Sequence, residues 1–147
     1  MSATNILGGR VGYELKRVQH GLRSRMDDAL RGVGLTTPQY AALSVLMDSP
    51  GISGAELARR SFVTAQTMNQ ILANLEKRNL IEKRPHPEHG RVLQTYLTEK
   101  GEALVSSAHR EVEEIEERML ERLNEEERRK LLETLRGCAD SLAPEGR

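Results

Sequence analysis

The chain has 147 residues, of which 37% are hydrophobic and 30% charged, which suits a single domain with one core. No stretch approaches the roughly 18 apolar residues of a membrane span, the first ten residues contain no apolar secretory segment, and the single cysteine, Cys138, excludes a disulfide framework. The composition therefore argues against membrane and disulfide-stabilised secreted proteins and predicts a cytoplasmic one.

Charge is unevenly distributed although the net charge is zero. Residues 1–98 carry 13 Lys and Arg against 8 Asp and Glu, or +5, and residues 99–147 carry 9 against 14, or −5. A neutral protein can bind nucleic acid when its basic part faces the phosphates. The alternative is that the Glu-rich helices simply present solvated faces.

Two helices are predicted first. Apolar residues at helical spacing predict an amphipathic helix over roughly residues 8–32, which Gly32 and Gly34 end. Thr37 as the N-cap and Pro38 at the first helical position then predict a helix over about residues 38–49.

Two shorter helices follow. Ser53 with Glu56 three residues later predicts a capping box and a third helix that runs to about Arg60. A fourth helix is predicted over about residues 64–78, with Asn79 as a left-handed C-cap.

The rest of the chain predicts a hairpin and two long helices. Residues 80–84 and 91–97 form short strand patterns around a turn rich in breakers. A fifth helix is predicted over about residues 98–123, and a capping box of Asn124 with Glu127 opens the last. The order ααααββαα predicts a mainly α fold with a small β-hairpin (α+β).

Residues 52–81 predict a helix-turn-helix, with a tight turn near residues 61–63. The second helix of this motif lies in the DNA major groove. Its apolar residues fall on one side, and the other side is rich in amides, which pair with adenine and avoid phosphate repulsion. An ordinary solvated face would more often carry Glu and Lys. That polar side presents Gln66, Asn69, Gln70, Ala73, Asn74 and Lys77.

The hairpin is basic, with Lys83, Arg84 and Arg91, and its turn contains His86 and His89. Beside a recognition helix, such a hairpin is interpreted as a wing that contacts phosphate or the minor groove. The full set of predicted DNA-binding residues is Ser53, Thr64, Gln66, Thr67, Asn69, Gln70, Asn74, Lys77, Arg84 and Arg91.

Across essentially its whole length the chain resembles the MarR family of regulators. The matching segments are LTTPQYAAL at 35–43, ISGAELARRS at 52–61, TMNQILANLEKRNLI at 67–81 and RVLQTYLTEKG at 91–101. The resemblance implies a winged helix-turn-helix at residues 34–98 and helical dimerisation segments at residues 1–33 and 99–147. It also implies an obligate homodimer, a palindromic double-stranded DNA operator, and release from DNA by small phenolic or lipophilic ligands.

The wing turn departs from the family pattern. Where the family commonly has Asp-Pro-x-Asp-x-Arg, this chain has His86, Pro87, Glu88, His89, Gly90 and Arg91. The usual acid–Arg pairing that braces the wing is therefore in doubt. Two imidazoles near phosphate predict DNA binding that tightens as the pH falls.

The remaining residues include candidates for a ligand pocket but too few neighbouring ligands for a metal site. Tyr13, Arg17, His20 and Tyr40 are candidates to line a pocket for an anionic aromatic ligand; alternatively the tyrosines pack and Arg17 is solvated. A metal site needs three or four converging ligands, and only the two wing histidines are close in sequence. No metal site and no cofactor are predicted.

Other classes of function fit less well. The sequence contains no Gly-rich phosphate loop, nucleophile elbow or metal-ligand motif, so an enzyme is not predicted. A helical adaptor without DNA binding would explain the terminal helices but not the hairpin or the amide-rich helix. The sequence therefore predicts a DNA-binding transcriptional regulator, a repressor that a small molecule releases.

Overall fold

The computed structural model describes residues 7–145, so the first six and last two residues of the predicted dimerisation segments lie outside the described residues. It has the predicted fold class and order, six helices with one antiparallel hairpin between the fourth and the fifth. The elements are α1 (Val11–Val33), α2 (Thr37–Asp48), α3 (Gly54–Arg60), α4 (Ala65–Lys77), β1 (Ile81–Pro85), β2 (Leu93–Leu97), α5 (Glu99–Met119) and α6 (Glu125–Leu142). None of the helices within this part of the chain is long and apolar enough to cross a membrane.

Two of the predicted helix caps are corrected. The N-cap of α2 is Thr36 rather than Thr37, because its hydroxyl accepts the amide of Gln39 (3.2 Å) and the Gln39 side chain accepts the amide of Thr36 (3.0 Å). At α3 the Ser53 hydroxyl does accept the amide of Glu56, at 3.2 Å. The Glu56 carboxylate, however, pairs with Arg59 and does not complete the predicted capping box.

The hydrophobic core lies where α2, α3, α4 and α5 meet. Leu43, Leu57, Leu75 and Val105, one from each helix, are fully buried. Burying each such side chain stabilises the fold by about 1.5–3 kcal/mol. This core fixes α4 from beneath and leaves the opposite side of α4 on the surface.

The hairpin is joined to the start of α3. Within it Ile81 pairs with Leu97, and Pro85 with Leu93. The segment before α3 forms an isolated antiparallel bridge to β2, between Ser53 and Gln94. The amide of Gly51 donates to the carbonyl of Thr95 (3.0 Å), and the amide of Thr95 donates to the carbonyl of Ile52 (3.1 Å). The wing, α3 and α4 therefore form one connected unit.

Three helices end in the same left-handed turn, in which the amide after the left-handed residue bonds a carbonyl five residues earlier. The left-handed residues are Gly34 (φ +85°), Phe62 (φ +58°) and Asn79 (φ +62°). The left-handed conformation predicted for Asn79 is thus confirmed. The three bonds are Leu35 to Leu30 (2.9 Å), Val63 to Ala58 (3.1 Å) and Leu80 to Leu75 (3.0 Å).

The junction between the wing and α5 explains the Leu-Thr-Glu-Lys-Gly sequence at residues 97–101. The Thr98 hydroxyl accepts the amide of Gly101 (3.0 Å) and donates to the carbonyl of Asn79 (2.7 Å). The Thr98 amide donates to the carbonyl of Leu80 (3.1 Å). A Cβ atom at Gly101 would lie 2.0 Å from that same carbonyl oxygen, so only glycine permits this approach.

Helix α6 is the element least covered by the rest of the chain. None of its residues is buried, and Leu132, Leu135 and Leu142 are 50%, 41% and 85% exposed. Its N-terminus is held by Arg128, whose guanidinium bonds the carbonyls of Leu120 (3.0 Å) and Leu123 (3.1 Å). The predicted capping box of Asn124 and Glu127 is present.

Candidate nucleic-acid interface

Helix α4 has one buried and one exposed side. Met68, Leu72 and Leu75 are buried against the core, and Ile71 is half-buried beside them. Because these residues hold the helix along most of its length, the other side is presented on a rigid element. The exposed side chains are Ala65, Gln66, Thr67, Asn69, Gln70, Ala73, Asn74, Glu76 and Lys77.

The first turns of α4 carry hydrogen-bonding groups that the fold does not use. Thr64 is the N-cap: its hydroxyl accepts the amide of Thr67 (3.1 Å) and donates to the Thr67 hydroxyl (3.0 Å). The side-chain amide groups of Gln66, Asn69 and Gln70 have no hydrogen-bond partner within residues 7–145. A helix N-terminus with unpaired amides is suited to base edges in a major groove.

Two predicted contact residues lie away from this end. The side-chain oxygen of Asn74 accepts a hydrogen bond from Gln39 (2.9 Å), which ties α4 to α2. Lys77 is exposed in the last turn, roughly 15 Å along the helix axis from Thr67 at about 1.5 Å per residue. The sequence did not indicate the Asn74–Gln39 pair, because its members are 35 residues apart.

A recess of about 260 Å³ lies between α3, α4 and the wing. Ser53, Asn69 and Arg91, all predicted contact residues, line it together with Lys83. Arg91 is exposed and has no ion-pair partner within the described residues. Two cations, a hydroxyl and an amide around one opening provide the donors that a phosphate group requires. Lys83 is not among the predicted DNA-binding residues. Its charge is evident from the sequence, but its place in the recess beside Asn69 is not.

Arg84 lies on the other face of the strand, since successive strand residues alternate. Its guanidinium carbon lies 4.3 Å from the centre of the Tyr96 ring, and it pairs with Glu82. The cation–π contact and the ion pair hold this side chain against the sheet. Of the two wing arginines, Arg91 is therefore the one beside α4.

The wing turn is built on His86. Its Nδ1 atom accepts hydrogen bonds from the amides of Glu88 (3.0 Å) and His89 (3.1 Å), and its own amide donates to Val92 (2.8 Å). The imidazole thus supplies the acceptor that a turn aspartate would supply. Protonation of Nδ1 removes both bonds, which acts against the tighter binding at low pH predicted from the sequence.

Tyr40 joins α2 to α5. Its side chain is buried, its hydroxyl lies 2.7 Å from Nδ1 of His109, and burial raises the pKa of the Tyr40 hydroxyl. The hydrogen-bonding capacity of this tyrosine is thus used within the chain.

The four candidate ligand residues do not line one cavity within a single chain. Arg17, which pairs with Glu14 (2.8 Å), lines a cavity of about 200 Å³ between α1 and α5. His20 lines a separate groove on α1, and Tyr13 is 39% exposed near the start of that helix. The cavity at Arg17 has an apolar floor and two further cations. Its other lining residues are Val18, Gly21, Leu22, Arg25, Ile115, Arg118 and Met119.

Residues 7–145 bring together no group of three or more His, Cys, Asp or Glu side chains that is suited to a metal ion. The rings of His86 and His89 lie with their centres 5.0 Å apart and are tilted by 37° to each other. Cys138 is exposed on α6.

Comparison with known proteins agrees with this architecture. The sequence pattern that defines the MarR family matches residues 33–92. The HTH-type transcriptional repressor Rv2887 of Mycobacterium tuberculosis is 40% identical over 119 residues, which cover 81% of this chain and 86% of the relative. The match to the solved structure of Rv2887 with DNA covers 88% of this chain and 97% of the Rv2887 chain, with a TM-score of 0.73 and 36% identity. The solved structure of Rv2887 with salicylic acid covers 88% of this chain and 96% of the Rv2887 chain, with a TM-score of 0.72 and 37% identity.

Proposed function

This chain belongs to the MarR family, and on that premise we propose that it is a homodimeric repressor that binds palindromic double-stranded DNA and leaves it when a small aromatic ligand binds. The activity is one of binding, and no catalytic step is assigned to the chain.

The observation that carries the proposal is the exposed side of α4. Gln66 and Gln70 present unpaired amides near the N-terminus of a helix that is fixed from below by buried residues. Amide side chains can pair with adenine edges, and neutral groups avoid repulsion by phosphate. The cations of the adjoining recess, Lys83 and Arg91, are placed to hold the DNA backbone while the helix reads bases.

The dimer is supported by the apolar residues that the single chain leaves uncovered. Leu131, Leu132 and Leu135 of α6 are 37%, 50% and 41% exposed, and Val11 and Leu15 of α1 are 72% and 46% exposed. A monomer with such stripes would expose a large apolar surface. We assign residues 34–98 to DNA binding and residues 1–33 and 99–147 to dimerisation.

For the effector we infer an aromatic carboxylic acid, as in the salicylic acid complex of Rv2887. The cavity between α1 and α5 combines an apolar floor with Arg17, Arg25 and Arg118. A guanidinium can bind a carboxylate through two parallel hydrogen bonds, and the floor can pack on a ring. Tyr13, His20 and Tyr40 remain candidate ligand residues that a rearrangement in the dimer would have to bring nearer.

The test is fluorescence anisotropy with the full chain and two duplexes, the DNA upstream of its own gene and a scrambled duplex of equal length. We expect tight, salt-dependent binding of the upstream duplex, at least about a thousandfold tighter than the scrambled one, and release when salicylate is added. Equal binding of the two duplexes would contradict sequence-specific recognition, and no binding at all would favour the helical adaptor.

A further inference from the structure

The turn between α3 and α4 exposes an aromatic ring. Phe62 is 94% exposed, more than any other large hydrophobic side chain in residues 7–145. Its backbone has φ +58°, in the left-handed region that residues with a Cβ atom adopt at a cost. Neither the packing of the chain nor the preference of the backbone accounts for a phenylalanine at this position.

The chain itself supplies the comparison. The same helix-ending turn occurs at Gly34 and Asn79, and both positions carry a residue type that tolerates positive φ. The third turn carries Phe62 instead. Its neighbours in the turn, Ala58 and Val63, pack into the core, whereas the Phe62 ring points to solvent. A residue held in a disfavoured conformation without internal contacts points to a partner outside the folded chain.

The position of the turn identifies that partner. Phe62 is two residues before Thr64, the N-cap of α4, so their Cα atoms are at most about 7.6 Å apart. A recognition helix enters the major groove N-terminus first. In the proposed docking of α4, the ring lies beside the nucleotides that flank those facing Gln66 and Gln70.

Resting on the proposed function, we propose that Phe62 is an apolar DNA contact. Its ring packs on the apolar part of a flanking nucleotide, either a thymine methyl group or a deoxyribose. Phenylalanine contacts with thymine methyl groups are a recognised form of base-edge contact. The contact involves no charge, so it adds affinity without changing the number of counterions released.

The test compares Phe62→Asn and Phe62→Leu with the wild type on a duplex selected by the wild-type protein from random sequences. Asparagine suits the left-handed turn but removes the ring, and leucine keeps an apolar group. We expect Phe62→Asn to bind about tenfold more weakly, as partial burial of an apolar ring implies. The slope of log K against log salt should be unchanged, and the melting temperature should be equal to that of the wild type or up to about 5 °C above it. Phe62→Leu should fall between the two in affinity.

Deoxyuridine in place of thymidine separates the two nucleotide groups. If the wild type loses affinity on the deoxyuridine duplex and Phe62→Asn does not, the contact is with a methyl group; if neither protein responds, it is with deoxyribose. Equal affinity of Phe62→Asn and wild type would overturn the inference, as would a weaker Phe62→Asn with a lowered melting temperature or a changed salt slope. Failure of the wild type to select any duplex would instead refute the proposed function.

Discussion

Gln70 lies in the second turn of α4, on the exposed side, and the fold gives its amide no hydrogen-bond partner within the described residues. We expect Gln70→Ala to weaken binding of the preferred duplex by about 1–3 kcal/mol and to relax the preference at one base pair in each half of the palindrome. Anisotropy on single-base variants of the duplex measures both effects. Gln19→Ala, at an exposed glutamine of α1, is the matched control. Equal losses on preferred and scrambled DNA would show that Gln70 contacts only the backbone.

The recess beside α4 makes a different prediction, because phosphate contacts carry little sequence information. Arg91→Ala should weaken binding of preferred and scrambled duplexes alike. In the dimer it should lower the magnitude of the slope of log K against log salt by up to about two units, since each neutralised phosphate contributes roughly 0.9. Lys83→Ala should act in the same direction. Arg31→Ala, at an exposed arginine of α1 that pairs with Asp28 and does not line the recess, should leave the slope unchanged. A slope unaffected by Arg91→Ala would mean that the wing does not contact DNA.

His86 makes a prediction for the stability of the wing turn, because its Nδ1 atom accepts both amide bonds that shape the turn. His86→Ala removes this acceptor and should lower the free energy of unfolding by about 0.5–1.5 kcal/mol for each bond lost, seen as a lower melting temperature. His86→Asp, which keeps an acceptor in the turn, should restore most of the loss, and His89→Ala is the control. Equal melting temperatures for His86→Ala and the wild type would contradict the bracing role of His86.

At the scale of elements, every helix and both strands were predictable, because amphipathic spacing and capping side chains are local. The ends of the helices were less predictable. Helix α5 ends at Met119, not near residue 123, and Arg128 bonds the carbonyls of the turn that follows. The N-cap of α2 is decided by a reciprocal bond between Thr36 and Gln39 that composition cannot separate from a cap at Thr37.

The candidate site was predictable where one element carries it. The amides of α4 followed from the periodicity of a single helix. The Asn74–Gln39 bond and the place of Lys83 beside Asn69 depend on contacts between elements, which a sequence pattern does not contain. The tight turn near residues 61–63 was predicted, but the left-handed conformation of Phe62 within it was not, because turn rules rely on Gly and Asn at such positions and this turn has neither.

The start of α5 gives a stability prediction. Gly101→Ala places a Cβ atom 2.0 Å from the Leu80 carbonyl oxygen, so the wing and α5 must separate. We expect the free energy of unfolding to fall by about 1–3 kcal/mol or more, the usual cost of overpacking, seen as a lower melting temperature. Gly32→Ala is the control, because a Cβ there has no neighbour within 4 Å and alanine favours a helix. An unchanged melting temperature for Gly101→Ala would contradict the close contact.

At the scale of the whole molecule, the exposed leucines of α6 predict the oligomeric state. Leu132→Glu with Leu135→Glu places charges in the proposed interface, and such charges are costly when buried. Sedimentation should show a wild-type dimer and, for the double variant, dissociation toward the 16.5 kDa monomer together with loss of DNA affinity. Glu133→Gln, on the same helix, should remain dimeric. A wild-type protein that sediments as a folded monomer at micromolar concentration would refute the assignment.

The bonds of Thr98 to the carbonyls that follow α4, and the contact of Gly101 with Leu80, have a consequence for the operator. Because these contacts join the end of α4 directly to the start of α5, we expect the two helices to move as one unit. In a dimer held by α5 and α6, the separation of the two recognition helices is then set at the subunit interface. In the proposed dimer, the number of base pairs between the two halves of the operator therefore depends on how the leucines of the subunit interface pack.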